Sequence, residues 1–320
     1  MSVSLPWQQQ QWQRLLDLQG ANKLPHALLL SGPIGTGKRK FATAFAQWLL
    51  CSAPKSNLPC GDCRQCDFNK AQTHPDLKLV EPEEKGKSIK VDQVRELVSF
   101  LNQTAQQGGY RITIIAPAEK MNINSANALL KSLEEPGDKT VLLLLTDSPG
   151  QLLPTIRSRC QRVDFPLPQT DQALAWLTPL VPNNEDAEQL LFESSGQPIT
   201  ALNVLASDLL AHRQQWTKDF FALIGGKVSP LSLAEKWLDY ELSDILVWLD
   251  TRLSGVIRAH LANVEVDARW QQLVMDDAKP AYLLRDDVLT LKAQLGKGLN
   301  PNKQLALEQI LFKTCEVFTV

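Results

Sequence analysis

Apolar positions in the first half of the chain alternate between two periods. Residues 27–30, Ala-Leu-Leu-Leu, form the short, wholly apolar run that a strand buried on both faces requires. Residues 40–50 predict a helix and 77–80 a second strand. Val94, Leu97, Val98 and Leu101, at i, i+3, i+4 and i+7, form one stripe of a further helix, with Asp92 as its N-terminal cap. Residues 111–115 are rich in β-branched side chains. Residues 124–135 read as a helix with Leu129, Leu130 and Leu133 on one side and Pro136 as the stop. Residues 141–145 and 163–165 are the last strands. Strands separated by helices need crossover connections, so the sheet is expected to be mainly parallel.

Pro166-Leu167-Pro168 ends this alternation, and everything beyond it reads as helix. Turn residues at 182–184 and 194–196 mark a small unit ending near Ser207. A larger helical block follows, in which Leu242, Ile245, Leu246, Leu249, Leu253, Val256 and Ile257 share a face, as do Leu284, Val288, Leu291 and Leu295. The expected fold class is therefore α/β plus all-α, with domains at 1–167, 168–207 and 208–320. The eight tryptophans fall mostly within helical patterns and read as core or subunit contacts.

Composition narrows the function classes. The chain's 33 Lys and Arg against 35 Asp and Glu give a net charge of −2, which argues against a chain that grips nucleic acid alone through a positive field. At 44% hydrophobic and 21% charged residues it is neither disordered nor membrane-embedded in character. No apolar run approaches the roughly 20 residues that span a bilayer. The first seven residues lack the basic-then-apolar layout of a signal peptide, and the expectation is a soluble, cytoplasmic protein.

Gly32-Pro33-Ile34-Gly35-Thr36-Gly37-Lys38-Arg39 follows the first strand and opens a helix, with the G-x-x-x-x-G-K spacing of a phosphate loop. Glycines there let successive N–H groups converge on phosphate, and Lys38 adds a point charge. The catalytic apparatus is incomplete. Arg39 stands where a Ser or Thr hydroxyl should ligate Mg²⁺, and a guanidinium cannot ligate a cation. Ala116-Pro117-Ala118 follows the 111–115 strand, so no acid stands at that strand end; Glu119 comes only after the proline. The fold is that of a nucleotide-binding domain, with weak or absent hydrolysis expected. A self-sufficient ATPase using Glu119 as base is the alternative.

Four of the six cysteines form the series Cys51-x8-Cys60-x2-Cys63-x2-Cys66. Such a set suits a closed, structural, tetrahedral Zn²⁺ site, with Lys55, Arg64 and Lys70 available to offset the negative charge. An iron–sulfur centre is the rival, although the fourth cysteine lies upstream and no Cys-Pro follows. His26, His74, His212 and His260 show no mutual spacing that suggests catalysis.

The phosphate loop, the four-cysteine insert, the helix from Ser125-Ala126-Asn127-Ala128-Leu129-Leu130-Lys131 to Glu134-Glu135-Pro136, and Ser158-Arg159-Cys160 occur in that order. The combination resembles the AAA+ clamp-loader subunits of bacterial DNA polymerase III, most closely the delta prime family among them. The resemblance covers nearly the whole chain, with specific motifs as far as Cys160. It implies an AAA+ domain with a zinc insert, a small helical lid and a helical collar. It implies Cys51, Cys60, Cys63 and Cys66 as zinc ligands, and Arg159 as an arginine finger reaching the ATP site of a neighbouring subunit. Leu145-Thr146 matches the sensor 1 strand end, and Ile199 stands in place of the sensor 2 arginine.

ATP is a doubtful ligand on this reading, although Gly32, Gly35, Gly37 and Lys38 are kept. The implied partners are the gamma/tau ATPase subunits and the delta subunit, with the sliding clamp and primed DNA engaged through the assembly. The implied task is clamp loading by a non-hydrolysing subunit. Membership of a polymerase holoenzyme does not make the chain a nucleotidyltransferase, and no paired strand-end carboxylates are present to hold two metals.

Overall fold

The structure, a computed structural model, describes residues 5–84, 87–182, 184–262, 268–274, 277–296 and 298–318. The chain forms two compact units, residues 1–191 with 196–201, and residues 192–195 with 202–320.

The first unit is built on β1 (Ala27–Ser31), β2 (Leu77–Val80), β3 (Arg111–Ile115), β4 (Thr140–Thr146) and β5 (Gln161–Asp164). They form one parallel sheet in the order β2-β3-β4-β1-β5. Every residue of β1, β3 and β4 is buried, as the continuous apolar runs require. Period-two alternation divides these strands between two cores. Leu28, Leu30, Val141, Leu143 and Leu145 face one cluster, with Trp12, Phe41 and Phe45. Ala27, Leu29, Leu142 and Leu144 face the other, with Val94, Leu97, Leu129 and Leu133. The first cluster is covered by α1 (Gln9–Gly20) and α2 (Lys38–Leu50). The second is covered by α4 (Val91–Leu101) and α5 (Ile123–Glu134), with α3 (Arg64–Lys70) standing between α2 and β2 in the chain.

The strands run a residue or two differently from expectation. The larger correction concerns α4. Asp92 lies inside its first turn rather than capping it; Lys90 is the cap residue, and its N–H donates to Gln93 Oε1 at 2.9 Å. Gln93 reaches back to the cap from the third helical position, which makes a separate acid cap unnecessary. At α5, Asn122 caps the helix, its Oδ1 accepting from Ser125 N–H at 2.8 Å.

After β4 the chain makes α6 (Pro154–Arg157) and β5, then α7 (Thr170–Leu177), α8 (Asn184–Glu193) and α9 (Pro198–Leu205). The second unit comprises mainly α10 (Leu209–Ile224), α11 (Pro230–Trp237), α12 (Leu242–Ala262), α13 (Ala268–Gln271), α14 (Lys279–Gly296) and α15 (Lys303–Phe318). Its core gathers Trp216, Phe220, Trp237, Trp248 and Trp270 around the predicted α12 stripe, all seven members of which are buried. Trp12 and Trp48 belong to the first unit's core, so most of the tryptophans are structural.

Candidate functional site

The phosphate loop joins β1 to α2. Gly35 and Gly37 hold φ of +76° and +87°, conformations that L-residues with a side chain rarely adopt. Both lie under close cover. A Cβ on Gly37 would stand 2.4 Å from Leu5 Cδ1, and one on Gly35 would stand 2.4 Å from Thr200 Oγ1. The loop's carbonyls accept from the same covering segments: Trp7 Nε1 and Gln8 Nε2 donate to Thr36 O at 2.9 and 2.8 Å, and Ile199 N–H donates to Gly35 O at 3.3 Å. Ile199, in the place where the resemblance expects a lid arginine, thus meets the loop through its backbone.

Lys38 is turned inward. Its Nζ donates to Gly32 O at 2.6 Å and Pro33 O at 2.7 Å, and lies 2.6 Å from Asp147 Oδ1. The side chain of Lys38 is only 7% exposed, against 38% for Asp147. Arg39 forms a two-pronged ion pair with Glu81, just beyond β2. Both cations of the loop therefore have carboxylate partners within the chain. Asp147 is in turn fixed by Glu119, whose Oε1 accepts from Asp147 N–H at 3.1 Å. The acid that sequence reasoning set aside as lying past a proline thus returns to the strand ends, but as a brace for Asp147.

Asp147 was missed by the sequence reading. It is the residue after β4, and β4 pairs beside β1 with Thr146 opposite Ser31. That register brings the β4 end beside the loop that follows β1.

The four cysteines gather as expected. Cys51 follows α2, Cys63 caps α3 and Cys66 lies within it. The Sγ atoms of all four lie within 4.8 Å of one another. The sulfur–sulfur separations are 3.5 Å for Cys51–Cys60, 3.9 Å for Cys51–Cys63, 3.8 Å for Cys51–Cys66 and 3.9 Å for Cys60–Cys66. A tetrahedron with metal–sulfur bonds of about 2.3 Å has edges of about 3.8 Å, so this donor set fits one metal ion. A cluster of several irons would spread the sulfurs further apart.

Backbone N–H groups support the sulfurs, including Cys60 N–H to Cys51 Sγ at 3.2 Å. Burial drives Cys66 up to about 12 despite an N–H from Gly61. Burial also raises Cys63, but N–H groups of Cys66 and Ser52 and the neighbouring thiols outweigh it and bring it down to about 6. The three nearby cations are engaged elsewhere. Lys55 lies 3.9 Å from Asp62, Lys70 lies 3.6 Å from Asp67, and Arg64 covers the Phe68 ring.

Arg159 follows α6. Its Nε and Nη2 both meet Glu134 Oε1, at 2.9 and 2.5 Å, and its Nη1 donates to Thr155 O at 3.0 Å. Ser158 Oγ donates to the same carbonyl at 3.2 Å. Cys160 packs against the second core cluster, where burial pushes its thiol up to about 12. His26 Nε2 lies 2.9 Å from Leu133 O, and His74 Nδ1 accepts from Asp76 N–H at 3.1 Å, both structural roles.

The parallel sheet with its covered phosphate loop, the metal-competent cysteine insert and the helical second unit define a protein with a phosphate-loop α/β unit joined to an all-helical one. Residues 7–169 match the family described as DNA polymerase III, delta subunit, and residues 207–315 match its C-terminal counterpart. The chain is 40% identical to DNA polymerase III subunit delta prime of Pseudomonas aeruginosa over 97% of both proteins. It is 30% identical to the delta prime subunit of Escherichia coli over 96% of this chain and 94% of that one. A solved Thermotoga maritima gamma-subunit-related protein aligns with 95% of this chain and 99% of its own at 20% identity and a TM-score of 0.48. The chain belongs to the DNA polymerase III delta prime family. Among the described residues, no helix is long and apolar enough to cross a membrane.

Proposed function

We propose that this chain is a non-hydrolysing clamp-loader subunit that supplies Arg159 in trans to the ATP site of a neighbouring gamma/tau-type subunit. The observation that carries this reading is the state of the phosphate loop's own charges: Lys38 is engaged by Asp147 and two loop carbonyls, and Arg39 by Glu81. Phosphoryl transfer depends on positioned metal and charge. A site whose lysine has an internal carboxylate, and which offers a guanidinium where the Mg²⁺ hydroxyl belongs, lacks both. Gly32, Gly35, Gly37 and Lys38 then serve as a structural joint.

In the same reading, residues 1–167 form the AAA+ domain, residues 168–207 the lid, and residues 208–320 the collar through which subunits associate in the cytoplasm. The assembly with the delta subunit loads the sliding clamp onto primed DNA. Cys51, Cys60, Cys63 and Cys66 hold a structural Zn²⁺, the metal that a closed four-thiolate shell favours. The net charge of −2 fits a subunit whose main surfaces meet proteins and whose DNA contact is shared.

The test is ATP hydrolysis by the chain alone and by the reconstituted assembly with clamp and primed DNA. The chain alone is expected to be inactive. Arg159→Ala is expected to lower the turnover of the site it enters by about 10³-fold or more, with assembly intact. Unchanged turnover and loading in that variant would remove the finger assignment.

A further inference from the structure

We propose that Glu134 is the positioning residue for Arg159, gripping one edge of the guanidinium so that its outer edge is presented ready-made to phosphate oxygens. The proposal rests on the reading of Arg159 as a finger that acts in trans.

The donor inventory decides which edge is free. A guanidinium offers five N–H groups in a rigid plane. The Nε and one Nη2 hydrogen converge on Glu134 Oε1, at 2.9 and 2.5 Å. That occupies the side edge. One Nη1 hydrogen goes to Thr155 O at 3.0 Å. One N–H on each terminal nitrogen is left. Two donors from neighbouring nitrogens of one plane are the fork that binds paired phosphate oxygens. The group remains charged throughout, since arginine is not deprotonated in proteins.

Both anchors are themselves held. Glu134 is the last residue of α5 and follows Leu133, which is 2% exposed; Thr155 precedes Ile156, which is fully buried. Glu134 and Thr155 thus hang from the same core cluster on two different helices. The side chains of Arg159 and Glu134 are 35% and 50% exposed, so the pair is reachable by another protein. An ion pair this exposed adds little stability. Its effect is to remove rotamer freedom from a long side chain before it meets its target, and pre-orientation is a rate effect.

The full chain, reconstituted with the ATPase and delta subunits, clamp and primed DNA, tests this by steady-state ATP hydrolysis. Glu134→Ala is expected to lower kcat by about tenfold, a fraction of the roughly 10²-fold that misplacement of a catalytic group by an ångström can cost. The KM for ATP, the melting temperature and co-elution with partners should stay at parental values. Glu134→Gln, which keeps the shape and one acceptor oxygen, should fall between. In the double variant with Arg159→Ala, kcat should match Arg159→Ala alone, because both act through one group. Parental or higher kcat in both Glu134 variants, with Arg159→Ala impaired, overturns the positioning role and leaves the finger intact. Losses that multiply in the double variant also overturn it. Parental kcat in Arg159→Ala overturns the finger reading and this proposal with it.

Discussion

Asp147 Oδ1 lies 2.6 Å from Lys38 Nζ, in the region where a phosphate loop of this kind would meet an anionic ligand. The carboxylate comes from the end of β4 and the ammonium from the first turn of α2. Their meeting depends on the β1–β4 pairing that sets Thr146 opposite Ser31. The chain therefore carries its own anion for the lysine of its phosphate loop.

Removing that anion should be felt in stability. In Asp147→Asn, a lysine that is 7% exposed loses its counter-charge and is left with neutral acceptors, its two loop carbonyls among them. Stranding one member of a fully buried pair costs about 3–5 kcal/mol. Asp147 is 38% exposed, which reduces the expectation to about 1–2 kcal/mol. Urea unfolding at neutral pH measures it, and an unchanged midpoint would show the pair to be idle.

How much of this was legible follows from what sets each feature. β1, β3 and β4 were legible because a strand buried on both faces must be apolar throughout, and the four cysteines because a short loop can close them around one ion. Asp147 was not, because its partner depends on which strands become neighbours, and chain order does not state that. The same holds for Glu134 and Arg159, which are 25 positions apart and meet only once α5 and α6 pack on one core. Asp92 was misread as a cap because acid at a helix start is a general preference, whereas Gln93 supplied the bond locally.

Metal removal should loosen one loop before the sheet. Most residues between Cys51 and Cys60 are exposed, so little core holds them. Purified protein is expected to contain one zinc per chain. A chelator, or Cys66→Ser, should lower the melting temperature and open residues 52–59 to proteolysis. Because the thiolates must lose protons to bind, zinc affinity should fall as pH falls. Metal analysis that finds iron, or chelation that leaves the cleavage pattern unchanged, would contradict the assignment.

His74 should add a pH slope. Burial lowers its pKa below the usual value, against the opposing field of Asp76, and Nδ1 accepts from Asp76 N–H in the neutral form. The unfolded chain then binds a proton more readily than the folded one. The contribution of His74 is intact above the unfolded value of about 6.5, and is progressively lost as pH falls from there toward the folded pKa. His74→Asn keeps an acceptor near Nδ1 but does not titrate. Its unfolding free energy should change less than the parent's between pH 7.5 and 5.5, in zinc-saturated samples of both. Equal slopes would show that His74 takes no part.

Glu193 offers the opposite case to Glu134. Its carboxylate meets Arg252, and its Oε2 lies 3.9 Å from Arg213 Nη1, with all three side chains at most 8% exposed. Arg213 also donates from Nη1 to Glu193 O at 2.6 Å. Burial lowers the pKa of Arg213, with Asp244 opposing the shift, as expected of a guanidinium taken out of water. Glu193→Gln would remove a buried carboxylate that faces both guanidinium groups, at a cost of about 3–5 kcal/mol. Glu134→Gln breaks a half-exposed pair and should cost less than about 1 kcal/mol. Denaturant unfolding of the two variants side by side should therefore separate them by several-fold. Comparable losses would show that burial does not distinguish the pairs. A near-neutral Glu193→Gln would mean that the two arginines find replacement partners among the backbone carbonyls around them.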